Sequence, residues 1–537
     1  MKGEVLMKEI QIKNFRSLKN TGLQTLSPIT VLVGENSSGK STFLRAFPLL
    51  KQSINTRTSG PILWAGDVDD YVDFGSFGET VTNDESDNIS FKFTFSLEED
   101  HVGYKVYPIP RIASGNKPEI HSVSFEISIT SYEGKEQVSF LTLCIDDAVF
   151  CFDLIKQSVS INNSLYITKE KKKNIDETSR KNIRRNHYLF AGSRAFEFYL
   201  PDFSEYWDEL VRYIDYDKLD EDNFNVFFLQ NSLDYIGGKF CKGWTIEKLE
   251  EQINKKNKKQ REYYRTSLEN TCRAFLSKLT VADSEERSRI ENLIMLCFVY
   301  GFFSEIDEYI VRYFKQVHYI APLRATAERY YRLRNLAVDE VDYQGKNLAI
   351  FINSLSKKEM SDFRQWTNEQ FGFAVSTDKD KGHISLQIEL SGANKAINLS
   401  DTGFGYSQVL PIITQLWVLS TRKKEESSSV PLIIAIEQPE LHLHPAVQAK
   451  LAKTFIASIN LARKNGYQIQ ILLETHSDTI VNYFGKAIAR GLLKSEDVSV
   501  ILFDKRADES ITTVKTSSYD TDGFLSDWPY GFFAPKE

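Results

Sequence analysis

Cysteine is scarce in this chain of 537 residues. There are five (Cys144, Cys151, Cys241, Cys272 and Cys297), and none forms a C-x-x-C pair, a usage that suits a reducing cytosol. Long apolar runs are missing too: none reaches the ~18 residues that a membrane-spanning helix needs. The opening stretch MKGEVLMKEIQIKNF has no signal-peptide core, so a soluble, cytoplasmic protein without membrane contact is expected. Nor is there an excess of basic charge. Lys and Arg number 66 against 73 Asp and Glu, a net charge of −7, which excludes a global polycation and leaves any nucleic-acid contact to a local patch. What the chain does have is length, enough for two or three domains and a large core.

The pattern along the chain predicts three parts: 1–200, 201–317 and 318–537. The first is rich in strands. MKEIQIKNFRSL reads as an opening strand, and Ile89, Phe91, Phe93, Phe95 and Leu97 alternate with polar residues, the period of a half-buried strand. Val123, Phe125, Ile127 and Ile129 repeat this, and Val138 to Leu154 holds two further strands, giving an antiparallel meander. The second part carries apolar residues at helical spacing, such as Tyr206, Leu210, Tyr213 and Ile214, among dense charges. It reads as a helical insertion without sustained heptads. In the third part, HYIAPLRATAERYY and SLQIEL supply strands and TRKKEESSSV a polar loop. PLIIAIE and IQILLETHS are buried strands flanking a helix from Pro445 to Leu461. Continuous apolar runs separated by helices predict a parallel sheet covered on both faces, hence an α/β fold.

Residues 28–47, PITVLVGENSSGKSTFLRAF, carry the sharpest motif. Gly34, Gly39, Lys40 and Ser41 fit G-x-x-x-x-G-K-[ST], with a strand leading in and a helix leading out. Such a loop turns the backbone N–H groups of Glu35 to Thr42, Asn36, Ser37 and Ser38 among them, toward phosphate oxygens. The helix N-terminus adds partial positive charge. Lys40 is expected to pair with the β- and γ-phosphates, and Ser41 to ligate Mg²⁺.

Three further segments gain meaning beside it. LSDTGFGYSQVLPII places Gly403, Gly405, Ser407 and Gln408 before a helix-forming run, where small residues and a helix N-terminus make another anion site, a weak signal when taken alone. LIIAIEQPELHLHP ends an apolar strand in Glu437, where a carboxylate is presented to Mg²⁺. ILLETHSD ends a second such strand near His476, whose imidazole would reach a γ-phosphate or an attacking water.

This ordered set resembles the ATP-binding-cassette (ABC) type of ATPase head found in structural-maintenance-of-chromosomes (SMC), RecF and overcoming-lysogenisation-defect proteins. The resemblance covers roughly the first 100 and last 220 residues. It implies that Gly34 to Thr42 is the Walker A loop and Gly403 to Gln408 the signature turn. It also implies that Glu437 stands at the Walker B position, that His476 is the switch histidine and that LHLHP is the dimer-contacting loop. ATP and Mg²⁺ are the implied cofactors, sandwiched in a homodimer or larger even-numbered assembly. GPILWAGDVDDYVDFGSFGE, HYIAPLRATAERYY, IEQPELHLHP and DGFLSDWPYGFF further resemble a bacterial subgroup from anti-phage systems, typified by the ATPase subunit of Septu and its retron-linked form. That resemblance implies an HNH nuclease subunit as partner, together with reverse transcriptase or retron nucleic acid.

One departure from the family pattern matters. Related heads follow the Walker B acid with a catalytic glutamate, whereas this chain reads Glu437-Gln438-Pro439. An amide orients water but takes no proton from it, and loss of general-base help costs about 10²- to 10⁴-fold. Firm ATP binding with slow hydrolysis is therefore expected, unless Glu440 substitutes. The eight histidines lack HNH spacing, and about 60 residues follow the second buried strand, too few for a metal-dependent nuclease domain of usual size. Any nuclease is therefore expected to act in trans. Basic stretches at 169–185 and 255–261 offer a candidate DNA or RNA surface, or simply solvated faces. Gln52 is a guess for the glutamine that monitors Mg²⁺. Two other readings remain open: a RecF- or SMC-like maintenance ATPase, and a metallohydrolase built on His442, His444 and His476.

Overall fold

The structure is a computed structural model. It describes residues 6–167 and 306–526, without 57, 59, 68–69, 83–87, 97–121, 146–147, 157, 163, 307–308, 334–337, 339, 393–394, 422–429 and 506–511. The expected insertion, as far as residue 305, and both basic stretches lie outside the described residues. Two compact units are formed. One comprises Met7–Asn55, Ile62–Phe93 and Arg312–Glu537, and the other Met1–Leu6, Thr56–Pro61 and Thr94–Val311.

The second-named unit contains the meander. β6 (Ser122–Tyr132), β7 (Lys135–Ile145), β8 (Ala148–Asp153), β9 (Ser158–Ile161) and β10 (Ser164–Ile167) pair antiparallel in sequence order. The β6–β7 connection is Glu133-Gly134, both with positive φ (51° and 73°), the hand of turn that follows strand twist. Val123, Phe125, Ile127 and Ile129 are buried, as their alternation predicts.

The first-named unit is mixed α/β. β1 (Leu6–Phe15) pairs antiparallel with β2 (Leu18–Asn20) and β3 (Gln24–Thr25), and β5 (Asn88–Ser96) also neighbours β1. A six-stranded sheet runs β11 (Val317–Ile320), β16 (Leu432–Glu437), β17 (Ile469–Glu474), β4 (Ile29–Gly34), β18 (Val498–Lys505), β19 (Thr512–Ser518). All are parallel except the last pair.

Every residue of β4, β16 and β17 is buried, because both faces are covered. Ile434, Ile471, Val31 and Val500 share one core with α5 (Phe404–Thr421) and α6 (Pro445–Lys464). Helix α1 (Lys40–Asn55) lies against β4, β11, β16 and β17. A smaller antiparallel sheet joins β12 (Tyr331–Arg332), β14 (His383–Leu390), β13 (Phe373–Asp380) and β15 (Ile397–Asn398). Helices α3 (Leu348–Ser354) and α4 (Lys357–Phe371) flank it, and a Ser356–Glu359 capping box starts the latter. Two short helical pieces complete the unit, α2 (Phe77–Thr80) and α7 (Asp478–Ala489).

Parallel pairing puts the C-terminal tips of β4, β16 and β17 at one edge, with Glu437 opposite Glu474. Crevices outside such tips are where open α/β sheets take ligands.

Gln52, the candidate for monitoring Mg²⁺, is bonded to backbone in this structure. Its side chain is 1% exposed, donates to the Leu63 and Val72 carbonyls (both 2.9 Å) and accepts from Val72 N–H (3.1 Å). Both of its polar atoms bond backbone groups of Leu63 and Val72. Gln52→Leu is expected to destabilise this unit by about 2–3 kcal/mol, since three buried backbone groups lose their partner. Urea denaturation measures it.

Candidate functional site

The phosphate loop is built by burial and tight turning. Gly34 ends β4 with no room for a side chain: a Cβ there would meet the Phe503 carbonyl at 2.4 Å. Gly39 sits at φ 95°, where a Cβ would also meet Ser17 and Leu18 at 2.8 Å. Helix α1 begins directly after it, and its Phe43 N–H bonds Gly39 O at 3.0 Å. Within the loop, Ser38 is fully buried and its hydroxyl lacks a partner.

Lys40 folds back across the loop. It is 3% exposed and donates to Gly34 O (3.0 Å) and Glu35 O (2.6 Å). Burial lowers its pKa, while Glu474, Glu440 and Glu35 pull the other way. Its ammonium thus lies where anionic phosphates would replace carbonyl oxygens as partners.

Ser41, the next residue, donates to Glu474 Oε1 at 2.8 Å. Glu474 is 2% exposed, and its Oε2 is buried with no partner. Burial raises its pKa to about 7, with Glu437 adding to the rise and Ser41, Lys40 and Arg45 opposing it. Sequence reading passed over this residue. Its signal was available, because an apolar strand ends in Glu474 as another ends in Glu437.

Glu437 is engaged elsewhere. Arg45, one turn beyond Ser41 on α1, grips it with Nε and Nη2, each at 2.7 Å. Tyr319 at the end of β11 donates a third bond of 2.7 Å. The ion pair raises the Arg45 pKa further, and burial beside Glu437 raises that of Tyr319. Arg324 donates to the Glu437 carbonyl at 2.9 Å; burial brings its pKa down to about 10. Neither Arg45 nor Tyr319 stood out in the sequence, and pairing them with Glu437 required the fold.

The turn after β16 is bent at Gln438 (φ 43°) and His442 (φ 62°). Gln438 N–H bonds Glu474 O at 2.8 Å. Glu440 accepts from Thr475 Oγ1 (2.8 Å) and His476 N–H (2.7 Å), and burial raises its pKa. His476 Nε2 is buried without a partner. Burial, then Lys40, lowers the imidazole pKa, which keeps it neutral at pH 7 and able to act as donor or acceptor.

The signature segment divides. Gly403 and Phe404 are exposed at the start of α5, whereas Ser407 and Gln408 are buried (5% and 2% exposed). Ser407 Oγ bonds its own helix at Phe404 O (2.7 Å). The Phe404 ring meets His442 edge-on at 4.8 Å, and Arg329 Nη2 donates to both Asp401 carboxylate oxygens at 2.7 and 2.9 Å. The loop, both acidic strand tips and His476 are therefore brought together, while the signature turn lies beside the His442 turn.

Among the described residues, no three or more His, Cys, Asp or Glu side chains are grouped to hold a metal by themselves. His442 faces Phe404, and His444 caps α6 through its Nδ1 (3.2 Å from Ala446 N), an arrangement unlike a His-rich zinc centre. A hydroxyl beside an orphaned carboxylate oxygen does fit Mg²⁺, which takes few protein ligands and keeps its phosphates and waters. No described helix is long and apolar enough to cross a membrane.

The family model described as "AAA ATPase domain" matches residues 7–481. No curated protein matches the chain. Among solved structures, the SmcHead bound to the C-winged helix domain of ScpA is 11% identical, over 96% of this chain and 98% of that one, at a TM-score of 0.33. The SMC head domain from Thermotoga maritima is 9% identical, over 95% and 98%, at a TM-score of 0.34. At these values neither likeness bears on function.

Proposed function

The chain belongs to the AAA ATPase domain family, and from that premise we propose that it is a slowly hydrolysing ABC-type ATPase gating a separate HNH nuclease. The observation that carries the ATP-binding part is Lys40, buried and folded over the loop carbonyls beside a serine-bound carboxylate. The loop N–H groups from Asn36 to Thr42 hold the phosphates, Lys40 pairs with the terminal ones, and His476 sits ready for the γ-phosphate or its water. Ser41 and a strand-tip carboxylate would hold Mg²⁺, which would supply neutralising charge to the phosphates. Gly403, Gly405, Ser407 and Gln408 form the turn that closes on a second copy, through backbone groups at Gly403 and Gly405.

Slow turnover rests on two features. Gln438 cannot take a proton, and Glu440 already accepts bonds from Thr475 and His476. Gln438→Glu is expected to raise the rate of phosphate release by about 10²-fold. A wild-type rate already brisk and unchanged in Gln438→Ala would sink this part.

The nuclease partner, the retron components and the anti-phage role rest on the four resembling segments of the sequence. Contact with DNA or RNA through 169–185 and 255–261 belongs to the same proposal. Affinity purification of the intact chain tests the partner: an HNH subunit supports the reading, and recombination proteins would favour the RecF- or SMC-like alternative.

A further inference from the structure

Three carboxylates stand at the tips of β16 and β17 and in the turn after β16, and their oxygens are committed differently. Glu437 has Oε1 bound by Arg45 and Tyr319 and Oε2 by Arg45. Glu440 has Oε1 bound by the His476 amide and Oε2 by Thr475. Glu474 has Oε1 on Ser41, while its Oε2 is buried with no partner. A buried acceptor without a donor is costly, and one beside the P-loop serine is placed to receive a cation. We infer that Glu474, not Glu437, is the protein carboxylate that meets Mg²⁺, and that Glu437 is a positioning residue holding α1 through Arg45.

The inference rests on the ATP-binding reading above. It moves the metal acid from the β16 tip to the tip of β17, the strand between β16 and β4. The physical reason is charge. Arg45 already neutralises Glu437, so adding a divalent cation there would require breaking a two-pronged ion pair. Glu474 has no such cation bonded to it. Its one bonded partner, the Ser41 hydroxyl, can rotate its proton away and offer a lone pair to the same ion.

The test is calorimetric titration of ATP into the full chain at stepped Mg²⁺ concentrations, paired with Mn²⁺ electron paramagnetic resonance on the nucleotide complex. Glu474→Gln, isosteric and uncharged, is expected to raise the Mg²⁺ concentration for half-maximal ATP uptake at least about tenfold and to weaken Mn²⁺ retention. Glu474→Asp, which keeps the charge one methylene back, is expected to fall between. Glu437→Gln is expected to raise that requirement less than Glu474→Asp does, and to lower stability toward urea through the weakened Arg45 pair. The opposite ranking, with Glu437→Gln raising the requirement and Glu474→Gln leaving it unchanged, would overturn the assignment alone. Failure of the wild-type chain to take up ATP at any Mg²⁺ concentration would overturn the ATP-binding reading and the assignment with it.

Discussion

Lys40→Ala is expected to weaken ATP binding by about 10²- to 10³-fold, or roughly 3–4 kcal/mol, the worth of two charge-assisted bonds to phosphate. The ammonium is already buried against Gly34 O and Glu35 O, so nucleotide would meet a pre-placed cation rather than recruit one from solvent. The apo fold should survive, because what is removed is a buried charge that desolvation disfavours. Isothermal calorimetry with wild-type and variant chains, checked by circular dichroism, measures both claims. Affinity within a factor of three of wild type would show that Lys40 does not contact phosphate.

Arg45→Ala acts on folding instead. Glu437 is 2% exposed and Arg45 37%, so the substitution leaves a buried carboxylate with only Tyr319 as side-chain donor. Breaking a buried pair costs about 3–5 kcal/mol, and the half-open guanidinium lowers the expectation to about 2–4 kcal/mol in urea denaturation. Adding Glu437→Gln should recover part of the loss, with a coupling of about 1–3 kcal/mol in the double-mutant cycle. A cost below about 0.5 kcal/mol would class the pair with ordinary surface bridges.

The parallel core was legible because β4, β16 and β17 are mostly apolar, broken inside only by Thr30 and Gln470. The meander was legible because Val123 to Ile129 alternate. The phosphate loop was legible because its glycines, lysine and serine are fixed in number and order. What escaped was pairing across long sequence separations. Arg45 and Glu437, 392 positions apart, each look like ordinary charged residues, and only strand order brings Ser41 to Glu474 rather than to Glu437. The backbone partners of Gln52 at Leu63 and Val72 escaped as well, because no side-chain pattern in the sequence marks them.

Glu440 joins the turn after β16 to the tip of β17 through two short bonds, which gives the site a mechanical linkage. The stretch from Pro439 to Leu443 cannot be displaced without snapping that tie or dragging the His476 peptide along. A displacement of the His442 turn is therefore expected to reach the His476 peptide through the Glu440 carboxylate.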